Sequence, residues 1–169
     1  MANKLSSIYL AGSIRDDVTK DISWRELVIS SLEGFNVSIL NPLGGKTYNP
    51  QTKEWLASGA VPTGRFIVKH DFWAVDHADI VIFNFAALAE GYPNIGTLIE
   101  FGRATSTKSL LYVIIPEAYK GHGNTKLFKL HPFIEENSAL VFPDLATCID
   151  FMQQHLHVLS GQLPRFKGN

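Results

Sequence analysis

A lone carboxylate, Glu100, stands in the second turn of a helix that opens from a Gly/Pro turn, in the segment 91–104, GYPNIGTLIEFGRA. The run before it, 79–85 (DIVIFNF), reads as a buried parallel strand, and the turn after such a strand is where an open α/β sheet keeps its ligand. Ile95, Leu98, Ile99 and Gly102 recur at helical spacing and are expected to pack the helix on the sheet, with Glu100 off that stripe. Gly96 lies one turn earlier on the same face as Glu100. Helical side chains lean toward the N-terminus, so the carboxylate is expected over bare backbone at the positive end of the dipole, which favours its ionised form. An ionised, partly sheltered carboxylate with room for backbone approach suits covalent catalysis at a sugar anomeric carbon. Viewed alone, a helical Glu is more often a solvated surface residue.

Asp71 is the second anomaly. Ile67, Ala74 and Ala78 form an apolar stripe on its expected helix, and Asp71 falls in the middle of it. A carboxylate there is costly unless it is hydrogen-bonded or lines a cavity, so Asp71 either caps a neighbouring loop or faces a site. Asp79, immediately before its strand, is expected to satisfy nearby backbone amides. The loop 12–15 (GSIR) follows the first strand, at the sheet edge where phosphate and ribose groups commonly sit. It lacks both the three spaced glycines of a dinucleotide fingerprint and the Gly-Lys-Ser/Thr of a phosphate loop, and its Arg15 has surface acids such as Asp16 and Asp17 as ready partners. The six histidines are scattered without metal-ligand spacing, and His155 and His157 face different ways on a helix, so no metal site is expected. No Gly-x-Ser-x-Gly elbow occurs, and Cys148 lies within a helical segment, which leaves serine or cysteine hydrolase chemistry little support.

The elements that must position these residues follow from pattern. Strands are expected at 8–12, 35–40, 79–85, 109–115 and 139–142, with helices between Asp21 and Gly34 and at about 65–77, 95–107 and 144–159. Ile22, Leu27, Val28 and Leu32 are the expected apolar positions of the first helix. Such alternation argues for an α/β fold with a doubly wound, flavodoxin-like (Rossmann-like) five-stranded parallel sheet and helices on both faces. Segment 43–64 shows no sustained period and reads as a long lid-like loop; 116–137 is also irregular, and the tail 163–169 reads as an extended end. At 169 residues, 46% hydrophobic and 18% charged, the chain suits one compact domain over 1–169. A net charge of -1 offers no field for a nucleic-acid polymer or an anionic membrane. One cysteine argues against disulfides, and with no signal-peptide pattern at the N-terminus a cytoplasmic location is expected.

Three separated motifs, in this order and spacing, resemble the nucleoside 2-deoxyribosyltransferase family and its relatives that hydrolyse deoxynucleoside monophosphates. They are 8–13 (IYLAGS), Asp71 with 78–81 (ADIV), and 96–104 (GTLIEFGRA). The likeness runs from about Ile8 to Pro116, and Trp24 with Arg25 and Asn41 with Pro42 are similar to a branch of the family known mostly by sequence. The resemblance implies that Glu100 is the nucleophile, that Asp71 contacts the nucleobase and manages its proton, and that Tyr9 orients the nucleophile. It implies substrate-binding roles for Gly12, Ser13, Ile14 and Arg15 beside the sugar or its 5′ substituent, and for Asn94 and Gly96. Six residues before the nucleophile, family members often carry an acid or a serine, whereas this chain has Asn94. An amide adds no charge, so the choice between a 5′-hydroxyl and a 5′-phosphate stays open. The implied activity is transfer of deoxyribose between nucleobases through a covalent glutamyl intermediate. Capture by water instead would make the enzyme a deoxynucleoside 5′-monophosphate N-glycosidase. A non-catalytic nucleotide-binding module is the reading from another class, and the presence of both Glu100 and Asp71 argues against it.

Neither a metal nor an organic cofactor is implied, and the expected partners are a small-molecule nucleoside or nucleotide and a nucleobase. In the family a neighbouring subunit commonly completes the pocket. Tyr48, Trp55, Phe66, Phe72 and Trp73 crowd the segment 43–64 and the helix after it, more aromatic surface than a small domain readily covers, so a homodimer or larger homo-oligomer is expected. The alternative is that these rings fold inward under the long loop.

Overall fold

The computed structural model describes residues 6–14, 18–92, 94–116 and 131–159; Arg15 and the tail 163–169 lie outside them. From the N-terminal side, β1 (Ser6–Gly12) leads into α1 (Val18–Ser31) and β2 (Val37–Leu40). A small ribbon of β3 (Lys46–Asn49) and β4 (Glu54–Ala57) follows, then α2 (Gly64–His77), β5 (Ile80–Asn84) and the single turn α3 (Ala86–Ala89). The order continues with α4 (Ile95–Ala104), β6 (Leu110–Ile114), α5 (Pro132–Glu135), β7 (Leu140–Phe142) and α6 (Leu145–Leu159).

The main sheet is five-stranded in the order β2-β1-β5-β6-β7, and every neighbouring pair is parallel. This is the flavodoxin-like winding that the alternation predicts. The chain leaves β1 toward β2 and returns on the other side to β5, so the winding reverses at β1 and β5, and the crevice outside their carboxyl ends is the natural ligand site. Both sheet faces are covered, which is why the strands read as continuous apolar runs. Alternate residues separate the two cores. Tyr9, Ala11, Val81 and Phe83 face α2 and α4, where Ala74, Val75, Phe101 and Ala104 close the layer. Ile8, Leu10, Ile80 and Ile82 face α1 and α6, with Trp24, Val28, Cys148 and Met152. Asp79 ties the start of β5 to β1, as expected of a structural carboxylate, its Oδ2 accepting from Ser7 N and Ser7 Oγ at 2.9 Å each.

Three expectations need correction. Segment 43–64 is not a structureless loop: β3 and β4 pair antiparallel across it, with Tyr48 opposite Trp55 and their rings 5.4 Å apart. A cross-strand aromatic pair holds this ribbon together where no alternation announces it. In α1 the buried face is Asp21, Trp24, Arg25 and Val28, continued by Leu32 just past the helix, while Leu27 is exposed and Ile22 only half-buried. In α4 the stripe of Ile95, Leu98, Ile99 and Gly102 turns outward, with Ile95 63% exposed, and the helix packs instead through Thr97, Glu100, Phe101 and Ala104. Phe101 sets that rotation, its ring meeting Phe83 and Phe85 edge-on at 5.1 and 6.1 Å while small Ala104 lets the helix approach. Periodicity identifies a stripe but not its partner. Among the described residues no helix is long and apolar enough to cross a membrane.

Arg25 joins the two layers at the end of β1. It is fully buried, and its guanidinium donates to the carbonyls of Leu10 (3.3 Å), Gly12 (2.8 Å) and Asp21 (2.6 Å) while lying over the Trp24 ring. Gly12 must be glycine here, since a Cβ would stand 2.9 Å from Trp24 Cζ2. Removing the guanidinium takes one donor from each of several buried carbonyls, and a buried group left short of its partner costs about 1–3 kcal/mol. Arg25→Met is therefore expected to lower the unfolding free energy by roughly 3 kcal/mol or more, read from urea denaturation; a loss below about 1 kcal/mol would mean that the loop carbonyls find other donors.

Candidate active site

Tyr9 points from the interior strand β1 into the layer under α4, and its hydroxyl donates to Glu100 Oε1 at 2.7 Å. The bond is buried on both sides, with Tyr9 inaccessible and Glu100 9% exposed. Glu100 is thus neither the solvated surface residue nor the off-core carboxylate that its spacing suggests. Burial pushes its carboxyl up to about 7; the Tyr9 hydroxyl bond opposes this, the Asp71 charge adds to it, and the Arg25 charge opposes it. The expectation that the helix dipole holds Glu100 ionised is overridden, because desolvation of the charge is the largest effect. Tyr9 stays protonated: burial first, then the negative charges of Glu100 and Asp71, hold its hydroxyl far above the usual tyrosine range. The tyrosine is therefore a fixed donor and the glutamate its acceptor. Arg25 remains a cation, although burial lowers its guanidinium to about 10.

These groups open on a cleft of about 370 Å³ at the carboxyl end of β1. Tyr9, Glu100 and Asp71 line it together with Gly12, Ser13 and Ile14 of the loop after β1, and with Asn94 and Gly96 at the start of α4. Of the site residues implied by the sequence, Arg15 falls outside the described residues, as do its expected surface partners Asp16 and Asp17. Asp71 comes from α2 beside Ile67, so its place on the apolar stripe reflects a cavity. His70 Nδ1 lies 3.0 Å from Asp71 Oδ1. Ser13 Oγ donates to Asp21 Oδ1 at 3.2 Å, which anchors the loop wall to α1.

Asn94 is the most strained member. It precedes α4 in the left-handed region (φ 43, ψ 39), gives no side-chain cap, and is only 7% exposed, yet among the described residues neither of its amide atoms has a hydrogen-bond partner. A buried amide left in that state costs about 1–3 kcal/mol, and strained, unsatisfied residues of this kind gather at ligand sites. At Gly96 an added Cβ would meet nothing within 4 Å, so the space beside this turn is open. Pro42, Tyr92, Ile95 and Thr97 also line the cleft without having been marked from sequence. Pro42 had a usable signal, because a strand stop at the switch-point edge puts the next residues at the crevice mouth. Among the described residues no group of three His, Cys, Asp or Glu side chains is placed to hold a metal ion. The arrangement offers a buried carboxylate, a hydroxyl that fixes one of its oxygens, and a second carboxylate facing the same volume.

Residues 5–119 match the family model described as "Nucleoside 2-deoxyribosyltransferase like". The sequence matches none of the curated proteins. Among solved structures, a conserved protein from Enterococcus faecalis V583 superposes with a TM-score of 0.61 at 13% identity, over 90% of this chain and 99% of the other. A 2-deoxyribosyltransferase from Bacillus psychrosaccharolyticus gives a TM-score of 0.61 at 18% identity, over 89% and 96%. A 2-deoxyribosyltransferase from Leishmania mexicana gives 0.59 at 15% identity, over 89% and 98%. These likenesses establish a common fold.

The displaced Glu100 pKa has a stability consequence. The folded value of about 7 lies above the ordinary 4.5, so the folded state holds the proton more tightly. The fold is therefore penalised as pH rises from the lower value through the upper one, and fully so above about 7, by roughly 3 kcal/mol. Glu100→Gln removes the ionisation, so the variant is expected to gain on the wild type by roughly 3 kcal/mol at pH 8 and by little at pH 4. Urea unfolding at the two pH values checks this, and a difference that stays constant with pH would show that burial does not govern the carboxyl.

Proposed function

The chain belongs to the nucleoside 2-deoxyribosyltransferase-like family, and we propose that it cleaves the N-glycosidic bond of 2′-deoxynucleosides through a covalent deoxyribosyl-Glu100 intermediate and passes the sugar to another nucleobase. The observation that carries this reading is the buried Tyr9–Glu100 hydrogen bond opening on the same cleft as Asp71. Held through Oε1, Glu100 has its other oxygen free to attack the anomeric carbon. A 2-deoxy sugar lacks the electron-withdrawing 2-hydroxyl, so its oxocarbenium-like transition state is accessible with one carboxylate beneath the ring and proton management at the base. Asp71 supplies the proton as the base leaves. An incoming base then attacks the same carbon, gives a proton to Asp71 and frees Glu100. The loop of Gly12, Ser13 and Ile14 borders the sugar, and the unsatisfied Asn94 amide takes a hydrogen-bonding group of its 5′ end; an amide serves either a hydroxyl or a phosphate. Arg15 is assigned to the same border by the family likeness alone.

The nucleophile must be ionised, so kcat/KM is expected to rise with pH through about 7, the value to which burial pushes Glu100. Tyr9→Phe removes a donor that favours the carboxylate, and the midpoint of that rise is expected to move upward. Glu100→Ala or Glu100→Gln is expected to abolish turnover, and a slow 2-fluoro substrate to leave an adduct on Glu100 in peptide mass analysis. More than a small residual activity in either variant would remove Glu100 from the mechanism. Asp71→Asn is expected to slow the reaction strongly and unevenly among bases; stability loss with normal kinetics would make Asp71 structural. Chromatography of deoxynucleosides incubated with a free base separates transfer from hydrolysis and from binding without turnover.

The working enzyme is proposed to be a homodimer or larger assembly. Phe66 and Trp73 on α2 are half-exposed, as are Tyr92 and the outward stripe of α4, while Phe72 is covered by the Arg103 guanidinium. Tyr92 and Ile95 belong both to this apolar face and to the cleft, so a second copy seated here would border the site. Light scattering is expected to give at least a dimer; a monomer mass for a dilute, fully active sample would rule out a shared pocket.

A further inference from the structure

Asp71 meets the cleft on one side and an imidazole on the other. Among the described residues His70 is its hydrogen-bond partner, Nδ1 to Oδ1 at 3.0 Å. Consecutive helical side chains diverge by about 100°, so this contact needs the imidazole folded along the helix surface. Phe66, one turn earlier, supports it there, the two rings stacked at 5.9 Å and 25°. The exposures of the two side chains differ in the useful direction: 36% for His70 and 13% for Asp71. The carboxylate is sheltered, and the ring bonded to it reaches water. Three groups on the neighbouring elements are engaged elsewhere: the Tyr9 hydroxyl with Glu100, Arg25 with backbone carbonyls, and Arg103 of the adjacent α4 with Asp76 at 2.7 Å.

We infer that His70 and Asp71 form one proton-relay pair, in which His70 exchanges protons with solvent and passes them to and from the Asp71 carboxylate. The inference rests on the glycosidic cleavage proposed above. In the first half-reaction the bond between C1′ and the base nitrogen breaks, its electron pair stays on nitrogen, and Glu100 bonds to C1′. The nitrogen takes its proton through Asp71 as His70 Nδ1 gives one to the carboxylate, and the second ring nitrogen takes a proton from water, so Asp71 stands ionised again with the His70 proton on Nε2. In the second half-reaction the acceptor's N–H or O–H proton travels back by the same route as Glu100 is released. Because the departing base carries a proton out of the cleft, a sheltered Asp71 without this connection would have to wait for the next nucleophile. His70 is thus a positioning residue that acts through Asp71 and does not touch substrate.

Two measurements test the pair, one of them independent of turnover. Nitrogen-15 spectra of the neutral His70 ring are expected to show the proton on Nδ1, held there by the Asp71 carboxylate, and to shift to the Nε2-protonated form in Asp71→Ala. A ring that is Nε2-protonated in the wild type, or unchanged by Asp71→Ala, overturns the pair. In kinetics, His70→Phe keeps the stack on Phe66 and is expected to lower kcat about tenfold with KM within about twofold and a larger solvent deuterium effect. Added imidazole is expected to restore part of the rate to His70→Ala. Unchanged kcat, an effect on KM alone, or no rescue overturns the relay. Absence of deoxynucleoside cleavage by the wild type would overturn the proposed activity and the relay with it, while the ring spectra would still report separately whether the Asp71–His70 bond forms.

Discussion

The hydrogen bond from Tyr9 to Glu100 joins the interior strand β1 to helix α4, and much of the surrounding architecture follows from what that bond requires. A carboxylate under a helix, inside the layer that also holds Phe83 and Phe101, is tolerable only with a donor in place. Tyr9 supplies that donor from a strand paired on both edges, so its hydroxyl has little freedom to move away. The aromatic cluster of Phe83, Phe85 and Phe101 then fixes how α4 is rotated, and hence which oxygen meets the tyrosine. Site and core are one construction here.

Charge balance in that construction is uneven. Burial and Asp71 work against ionisation of Glu100, while Tyr9 and Arg25 work for it. Arg25 does so without touching the carboxylate: its contacts are to the carbonyls of the β1–α1 junction, so the same cation that shapes the loop wall also sets the potential in the cleft. Moving such a cation would change wall and potential together. A close-packed junction around Gly12 and Trp24 makes that movement difficult, since there is no room even for an added methyl group.

How far the sequence could be read follows from which physical signal each feature leaves. The five strands were legible because a sheet buried on both faces demands unbroken apolar runs, and their order followed from alternation with helices. The ribbon of β3 and β4 was not, because two four-residue strands held by one Tyr48–Trp55 pair leave no period to detect. Glu100 and Asp71 were legible as anomalies of placement, and the structure brings them to one cleft. Their environments were not. The expected packing stripe of α4 is real as a periodicity yet faces outward, and with the helix turned the other way Glu100 becomes a buried group whose ionisation is opposed by desolvation. Arg25 was visible only as part of a motif, since nothing in a sequence reveals that a guanidinium will be spent entirely on backbone carbonyls.

Two unfavourable features of the resting site point in the same direction. Glu100 is a carboxyl held where its charge is disfavoured, and Asn94 is a buried amide with both polar atoms unsatisfied in a left-handed backbone conformation. On the proposed mechanism, a substrate whose anomeric carbon bonds to the first forms an ester there and removes the buried charge, and a polar group reaching the second removes the unmade hydrogen bonds. Each cost therefore exists before the substrate arrives and diminishes as the reaction proceeds through the covalent stage. Relief of the Glu100 charge belongs to bond formation and not to initial binding, so on the proposed mechanism that part of the stored free energy lowers the chemical barrier instead of merely tightening the complex. Relief at Asn94 is available on binding and acts mainly on affinity. The two residues, one at the entrance to α4 and the other six positions on within it, would thus divide the work between holding the sugar and breaking its bond to the base.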